Sequence, residues 1–325
     1  MERKVGYEPA EAIPMQPPTL RGGPRKALRT IRDLVWMTMW PYGFVYAGLA
    51  ALVWNFFTPA MERMERFAVG WIAEIYLRNV VLLVVSAGGL HLWLYVRRAQ
   101  GKAYKYDPRW LSNKSRRFLF GSQTRDNMFW ALTSGAFFWT AYESLLLWAY
   151  ANDHIPRVDW GGGPASVIYL LVMTVLPFFL VSGWFYVTHR LLHTQPLYRW
   201  AHFLHHKNVN TGPWSGLSMH PVEHLLYFSA VLFFLVIPVS PFVVILTNLF
   251  TAMDPARGHC GFDRFEIGYG RTMPAGTYYH DLHHKYFECN YGLQVIPIDA
   301  WMGTWHDGSP EAHERMRARL EDAQR

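Results

Sequence analysis

The residues of this chain best suited to chemistry are eight histidines gathered in three short runs. They read His189-Arg-Leu-Leu-His193, His202-Phe-Leu-His205-His206 and His280-Asp-Leu-His283-His284. On a helix, side chains three or four residues apart share a face, so each run can aim two or three imidazoles at one point. A four-coordinate zinc centre would use only half of them. The number suits two metal ions that each keep a position open. Neutral imidazole accepts zinc, copper, iron and nickel alike, and a binuclear, all-nitrogen site at a membrane fits oxygen activation by iron. The third run follows a long apolar stretch and must fold back onto the first two, a convergence that solvated histidines would not need.

The elements that must position these rings are apolar. Hydrophobic residues make up 51% of the 325 and charged residues 17%, below the roughly 25% usual for soluble proteins. Four segments are long enough to cross a bilayer, near Trp36–Phe57, Tyr76–Val96, Met128–Tyr150 and Val167–Val187. A fifth, Leu225–Met253, holds Pro238 and Pro241. It reads as two short helices joined by a bend, either a re-entrant hairpin that dips into the membrane and returns or a tight pair of spans; both keep its two ends on one side. Met61–Glu74 reads as an interfacial amphipathic helix, and Ser309-Pro310 as the start of a solvated terminal helix.

Arginine and lysine counts orient the spans. Seven precede the first span and nine lie between Arg97 and Arg125, against Arg63 and Arg66 in one alternate loop and Arg157 in the other. The N-terminus is therefore expected to be cytoplasmic, and all three histidine runs emerge in that compartment. Residues 1–28 read as a disordered basic tail without a secretory signal, and 29–325 as one membrane domain with its catalytic region at 181–308. The fold class is all-α: four transmembrane helices, the bent hairpin, and a cytoplasmic helical cap holding the histidines. The net charge of +7 belongs to basic residues flanking apolar segments, which favours a membrane over nucleic acid. Two cysteines, Cys260 and Cys289, give no disulfide framework.

His220-Pro-Val-Glu-His224 admits another reading, the inverted zinc-peptidase pattern of two histidines and a glutamate base. Pro221 inside the motif and eight unused histidines argue against it. A histidine-rich metal transporter is the other alternative, yet transporters place polar residues at midplane depth. Here the histidines lie at the membrane edge, and Glu74, Arg78, His91 and Glu143 are the ionisable residues within the spans, with pairing as their default role.

The three runs resemble the histidine boxes of the fatty acid hydroxylase/sterol desaturase superfamily of membrane di-iron enzymes. Thr188 to His193 with Tyr198, and His202 to His206, are similar to the first two boxes of C4-methylsterol oxidases and C5-sterol desaturases. His259-Cys-Gly-Phe-Asp263 resembles a short motif of the methyl oxidases. His280 to Gly292, with Asn290-Tyr291, resembles the third box, and Trp301-Met-Gly303-Thr304 its close. The likeness covers about Val181 to Thr304. It implies four spans with a cytoplasmic catalytic cap. It also implies two iron ions, O2 as co-substrate, and hydroxylation or desaturation of an unactivated C–H bond of a membrane lipid, a sterol or a related one.

Carried over by residue, the resemblance makes all eight box histidines metal ligands, with His259 a ninth and His224 a candidate tenth. The final His224 departs from the usual sterol-enzyme pattern. Glu223 and Asp281 become the candidate catalytic carboxylates, working with His220 and Asp299 through the ligand rings they orient; helix capping is the bland alternative. Trp184, Phe185 and Trp214 are candidate walls for the lipid, with ordinary membrane packing as the alternative. No cytochrome b5-like domain or dinucleotide fingerprint occurs, and Gly161-Gly162-Gly163 is a loop run. Electrons are expected from a ferredoxin, cytochrome b5 or reductase docking on the cytoplasmic face, where the 97–127 loop offers basic charge; binding anionic lipid is the alternative role of that loop. A bacterial inner membrane or the endoplasmic reticulum is the expected location.

Overall fold

The computed structural model describes residues 6–13, 23–155 and 163–322. Arg3, Lys4 and Arg21 of the expected tail, and Arg157, Gly161 and Gly162 of the expected outer loop, lie outside them. Eleven helices and one hairpin are used below. The helices are α1 (Pro24–Thr38), α2 (Phe44–Phe56), α3 (Val69–Val96), α4 (123–151), α5 (Pro164–Leu192), α6 (195–206), α7 (Pro221–Leu235), α8 (Pro241–Gly258), α9 (Tyr278–Tyr286), α10 (Ile298–Trp301) and α11 (Pro310–Asp322). Among the described residues α3 and α5 are long and apolar enough to cross a membrane.

Helix α8 is the centre of the bundle. Every residue from Val243 to Ala252 is buried, the pattern of a helix apolar all round, and it packs against α2, α3, α4 and α5. Thr247 and Thr251 do not disturb this burial, because each hydroxyl donates to the carbonyl four residues back, at 2.7 and 2.8 Å. The surrounding helices turn apolar side chains outward: Leu77, Val81 and Val85 on α3, and Ile168, Leu171 and Val172 on α5, are all exposed. So broad an exposed apolar surface on helices whose backbone bonds are satisfied internally suits a lipid environment.

Several expectations are corrected. The chain is not all-α: Arg264–Gly268 (β1) and Arg271–Pro274 (β2) form an antiparallel hairpin. The turn residues Gly268, Tyr269 and Gly270 all have positive φ, which glycine tolerates at two of the three positions. Met61–Glu74 is not one helix. A single 3-10 turn at Met61–Met64 is followed by extended Ala68, and α3 starts at Val69, earlier than hydropathy marked it. The first apolar segment is divided at 39–43, where Trp40 has non-helical angles. Helix α1 begins at Pro24, inside the segment read as tail. Residues of that segment also lie against the cap: Gly6 and Tyr7 donate to the Tyr106 and Lys105 carbonyls, and Ile13 to that of Asp307. The fifth apolar stretch bends, as expected, between α7 and α8 around Pro238.

Of the four ionisable residues expected within the spans, three are paired; His91 instead stacks on Tyr95, its Nδ1 buried without a hydrogen-bond partner. Arg78 meets Glu143 at 2.6 Å with both nearly buried, and Asn79 bridges to Thr140 at 3.1 Å. Glu74 pairs with Arg63 at the exposed start of α3.

Candidate metal centre

The end of α5 carries His189 and, one turn on, His193 at its C-cap. A turn at Thr194 and Pro196 sends the chain back as α6, bearing His202, His205 and His206. His259 caps α8, and α9 carries His280, His283 and His284. These elements bring nine rings into two groups. His189, His193, His202, His206 and His283 each offer a nitrogen within 4.8 Å of the others; His205, His259, His280 and His284 do the same. Neighbours in sequence are dealt to different groups, His205 from His206 and His283 from His284, because successive helical side chains point about 100° apart. The groups adjoin, with the His206 and His284 ring centres 5.0 Å apart.

Bonds on the far side of the rings decide what the near side can do. His189 Nδ1 lies 2.6 Å from the Tyr291 carbonyl and His283 Nδ1 2.6 Å from that of Cys289. His259 Nδ1 faces the Pro255 carbonyl and His202 Nδ1 the Glu223 carboxylate, both at 2.9 Å. Carbonyls only accept, so His189, His259 and His283 carry their proton on Nδ1 and present Nε2 as a bare lone pair. Burial pushes the Glu223 carboxyl well up, and its ionised form, which a neighbouring cation favours, holds His202 in the same tautomer. With Glu223 ionised, His189 and His202 point two lone pairs at each other 3.0 Å apart. A shared cation makes that arrangement favourable.

The spacing fits such a cation. Nε2 separations are 3.0–3.1 Å in the five-histidine group and 2.9–3.3 Å in the other. Two nitrogens each about 2.0–2.1 Å from one ion, at angles between octahedral and tetrahedral, stand roughly 2.9–3.4 Å apart. The rings are also kept neutral, as ligands must be. Burial first, and then the other imidazoles, push His193, His202, His205, His206, His280, His283 and His284 well below the usual histidine range. Burial brings His259 down to about 4.

Not every candidate converges. His224 belongs to neither group: its Nδ1 faces Ser134 Oγ at 3.0 Å and its Nε2 the Leu217 carbonyl at 3.2 Å. With Glu223 aimed at His202, the next residue of α7 necessarily points round toward α4. His220 caps α7, its Nδ1 accepting from Val222 N–H at 3.3 Å, with its ring against Trp200. His220, Glu223 and His224 thus do not form a peptidase site. Asp281 is buried beside the ligands of α9; burial and then the charges of Asp263 and Asp281 push the Tyr106 hydroxyl well up. Of the aromatic candidates, Phe185 reaches the centre, its ring 4.8 Å from that of His189 and 5.8 Å from that of Tyr227. Trp184 is tied to Ser229 Oγ at 2.9 Å, and Trp214 is buried in the bundle against Gly88.

The backbone acceptors at Cys289, Tyr291 and Pro255 have no counterpart in the one-letter sequence. Only Asn290 hints at them: it holds positive φ, and its side chain donates to the Tyr279 and His306 carbonyls at 3.0 and 2.9 Å. That pins the loop whose carbonyls flank it.

Residues 174–304 match the fatty acid hydroxylase family. Over 268 residues the chain is 25% identical to a delta(7)-sterol 5(6)-desaturase of Gibberella zeae, covering 76% of each chain. It is 31% identical to a methylsterol monooxygenase of Aspergillus fumigatus, over 48% of this chain and 53% of that one. A sphinganine C4-monooxygenase of Arabidopsis thaliana is 28% identical, over 46% of this chain and 60% of the relative. No solved structure matches the chain.

Proposed function

We propose that this chain is a member of the fatty acid hydroxylase/sterol desaturase superfamily, an O2-dependent oxidoreductase that hydroxylates or desaturates an unactivated C–H bond of a membrane lipid, a sterol or related molecule. The observation that carries this reading is the convergence of nine rings into two groups whose nitrogens lie within 4.8 Å of one another, with the Nδ1 atoms of His189, His202, His259 and His283 engaged outside so that Nε2 faces inward. His189, His193, His202, His206 and His283 would hold one iron, and His205, His259, His280 and His284 the other. Bound there, the two irons with O2 supply the oxidising power for C–H cleavage.

The chain's own residues contribute orientation and access. Glu223 and the Cys289, Tyr291 and Pro255 carbonyls fix ring tautomers. Phe185 and Tyr227 give the centre an apolar wall on the side of α5 and α7, where a lipid carbon can approach without water. Four crossings, at 36–57, 76–96, 128–150 and 167–187, would place the N-terminus and the metal centre in the cytoplasm. The bent stretch α7–α8 would begin and end on that side. Exposed Lys114, Arg116 and Arg117 offer a basic face to an external electron donor.

Lipid analysis of cells expressing the wild-type chain or His283→Ala tests the reading. A lipid changed by one oxygen or two hydrogens only with the wild-type chain supports it. Identical lipid profiles, with both proteins folded and metal-loaded wild type present, would contradict it.

A further inference from the structure

We infer that Asp299 is the positioning residue of the His189 and His283 rings, and through them of the five-histidine group; this rests on the dimetal reading above. Asp299 is buried at the start of α10 and accepts four hydrogen bonds. Oδ1 takes the Tyr291 N–H at 2.9 Å and the Thr304 hydroxyl at 2.6 Å; Oδ2 takes the Gly292 N–H at 2.7 Å and the Tyr279 hydroxyl. The carboxylate thus binds consecutive backbone N–H groups of the 289–292 loop. On the opposite edge of that loop, the Tyr291 and Cys289 carbonyls receive the Nδ1 protons of His189 and His283. One anion therefore sets two ligand rings at a distance, through peptide planes. The loop fits closely around it: a Cβ on Gly292 would lie 2.9 Å from Asp299 Oδ2 and 3.4 Å from the Tyr186 ring.

The four-histidine group has a separate anchor. Its His259 is held by the Pro255 carbonyl inside α8, which owes nothing to α10. Asparagine cannot replace Asp299, because its NH2 would face one of the two backbone N–H donors. The loop would shift, and the His189 and His283 rings would lose their alignment. Outer residues of this kind typically change metal affinity about 10–100-fold.

Cobalt(II) titration of metal-free, detergent-purified protein tests this without turnover, by bound ions per chain and the cobalt absorption spectrum. Wild type should bind two ions. Asp299→Asn should bind one with wild-type affinity and the other about 10–100-fold more weakly, with the spectral contribution of only one site altered. Thr304→Val and Tyr279→Phe each remove a single hydroxyl donor and should weaken the same ion to a smaller degree, which keeps the test open should Asp299→Asn fail to fold. Two ions bound by wild type, with all three variants losing both equally or neither, would overturn the inference alone. Fewer than two ions on wild type would overturn the dimetal reading and this inference with it.

Discussion

In the proposed centre Glu223 would govern a ligand ring without touching the metal. Its ionised carboxylate would accept from His202 Nδ1–H, 2.9 Å away, and leave Nε2 as the ligand atom. Glu223→Ala should lower metal affinity at the five-histidine group about 10–100-fold, read by equilibrium dialysis against a competing chelator; unchanged affinity would remove Glu223 from the site. Acidity should act on the rings themselves. Folded-state histidines here titrate well below 6.5, whereas in the unfolded chain they titrate near it. Below about pH 6.5 the unfolded state therefore binds more protons, and stability falls as pH drops. The metal-free protein should melt at progressively lower temperature from pH 7.5 to 5.5, and metal retention should fall over the same range. A flat profile would contradict the neutral, buried rings. Phe185→Ala should change which lipid is oxidised more than how fast the metals load, measured by product ratios alongside metal content.

At the level of elements, the histidine runs were legible because helical spacing alone puts i, i+3 and i+4 rings together. The division of those rings into five and four was not. It depends on the angle between α6 and α9, which adjacent residues such as His205 and His206 read in opposite directions. His224 was misplaced for the same reason: its spacing from His220 resembles a ligand pair, but Glu223 fixes the rotation of α7. The hairpin at 264–274 was hidden by its shortness, although the Gly-Tyr-Gly turn between two alternating segments was the available signal. Apolar periodicity likewise could not separate a lipid-facing helix from the bundle centre, so α8 was indistinguishable from a span. Its surroundings now give a prediction. Leu246→Ala on α8 should destabilise the detergent-solubilised protein by about 2–5 kcal/mol, whereas Leu171→Ala on the outer face of α5 should change stability little. The Arg78–Glu143 pair is a second element-scale test: Glu143→Ala, which strands a buried guanidinium, should destabilise by roughly 3–5 kcal/mol, and the double replacement by less. A double replacement that costs the sum of the Glu143→Ala and Arg78→Ala effects would mean the pair is not coupled.

At the scale of the whole molecule, the bundle sets the two histidine groups where α5 ends, and the proposed chemistry would take place beside that end of the span. Charge bias predicts the basic 97–127 loop to be cytoplasmic. Since Cys260 and Cys289 are buried, single cysteines report cleanly. In sealed, right-side-out vesicles an impermeant maleimide should label Glu62→Cys and spare Lys102→Cys until the membrane is opened; the reverse pattern would invert the topology. The proposed chemistry requires two cations held by nine imidazoles. Elemental analysis of the purified, reconstituted protein tests that most directly. About two irons per chain, falling to about one in His189→Ala and likewise in His284→Ala, is the expected result. A single stoichiometric zinc, or iron content indifferent to both substitutions, would contradict it.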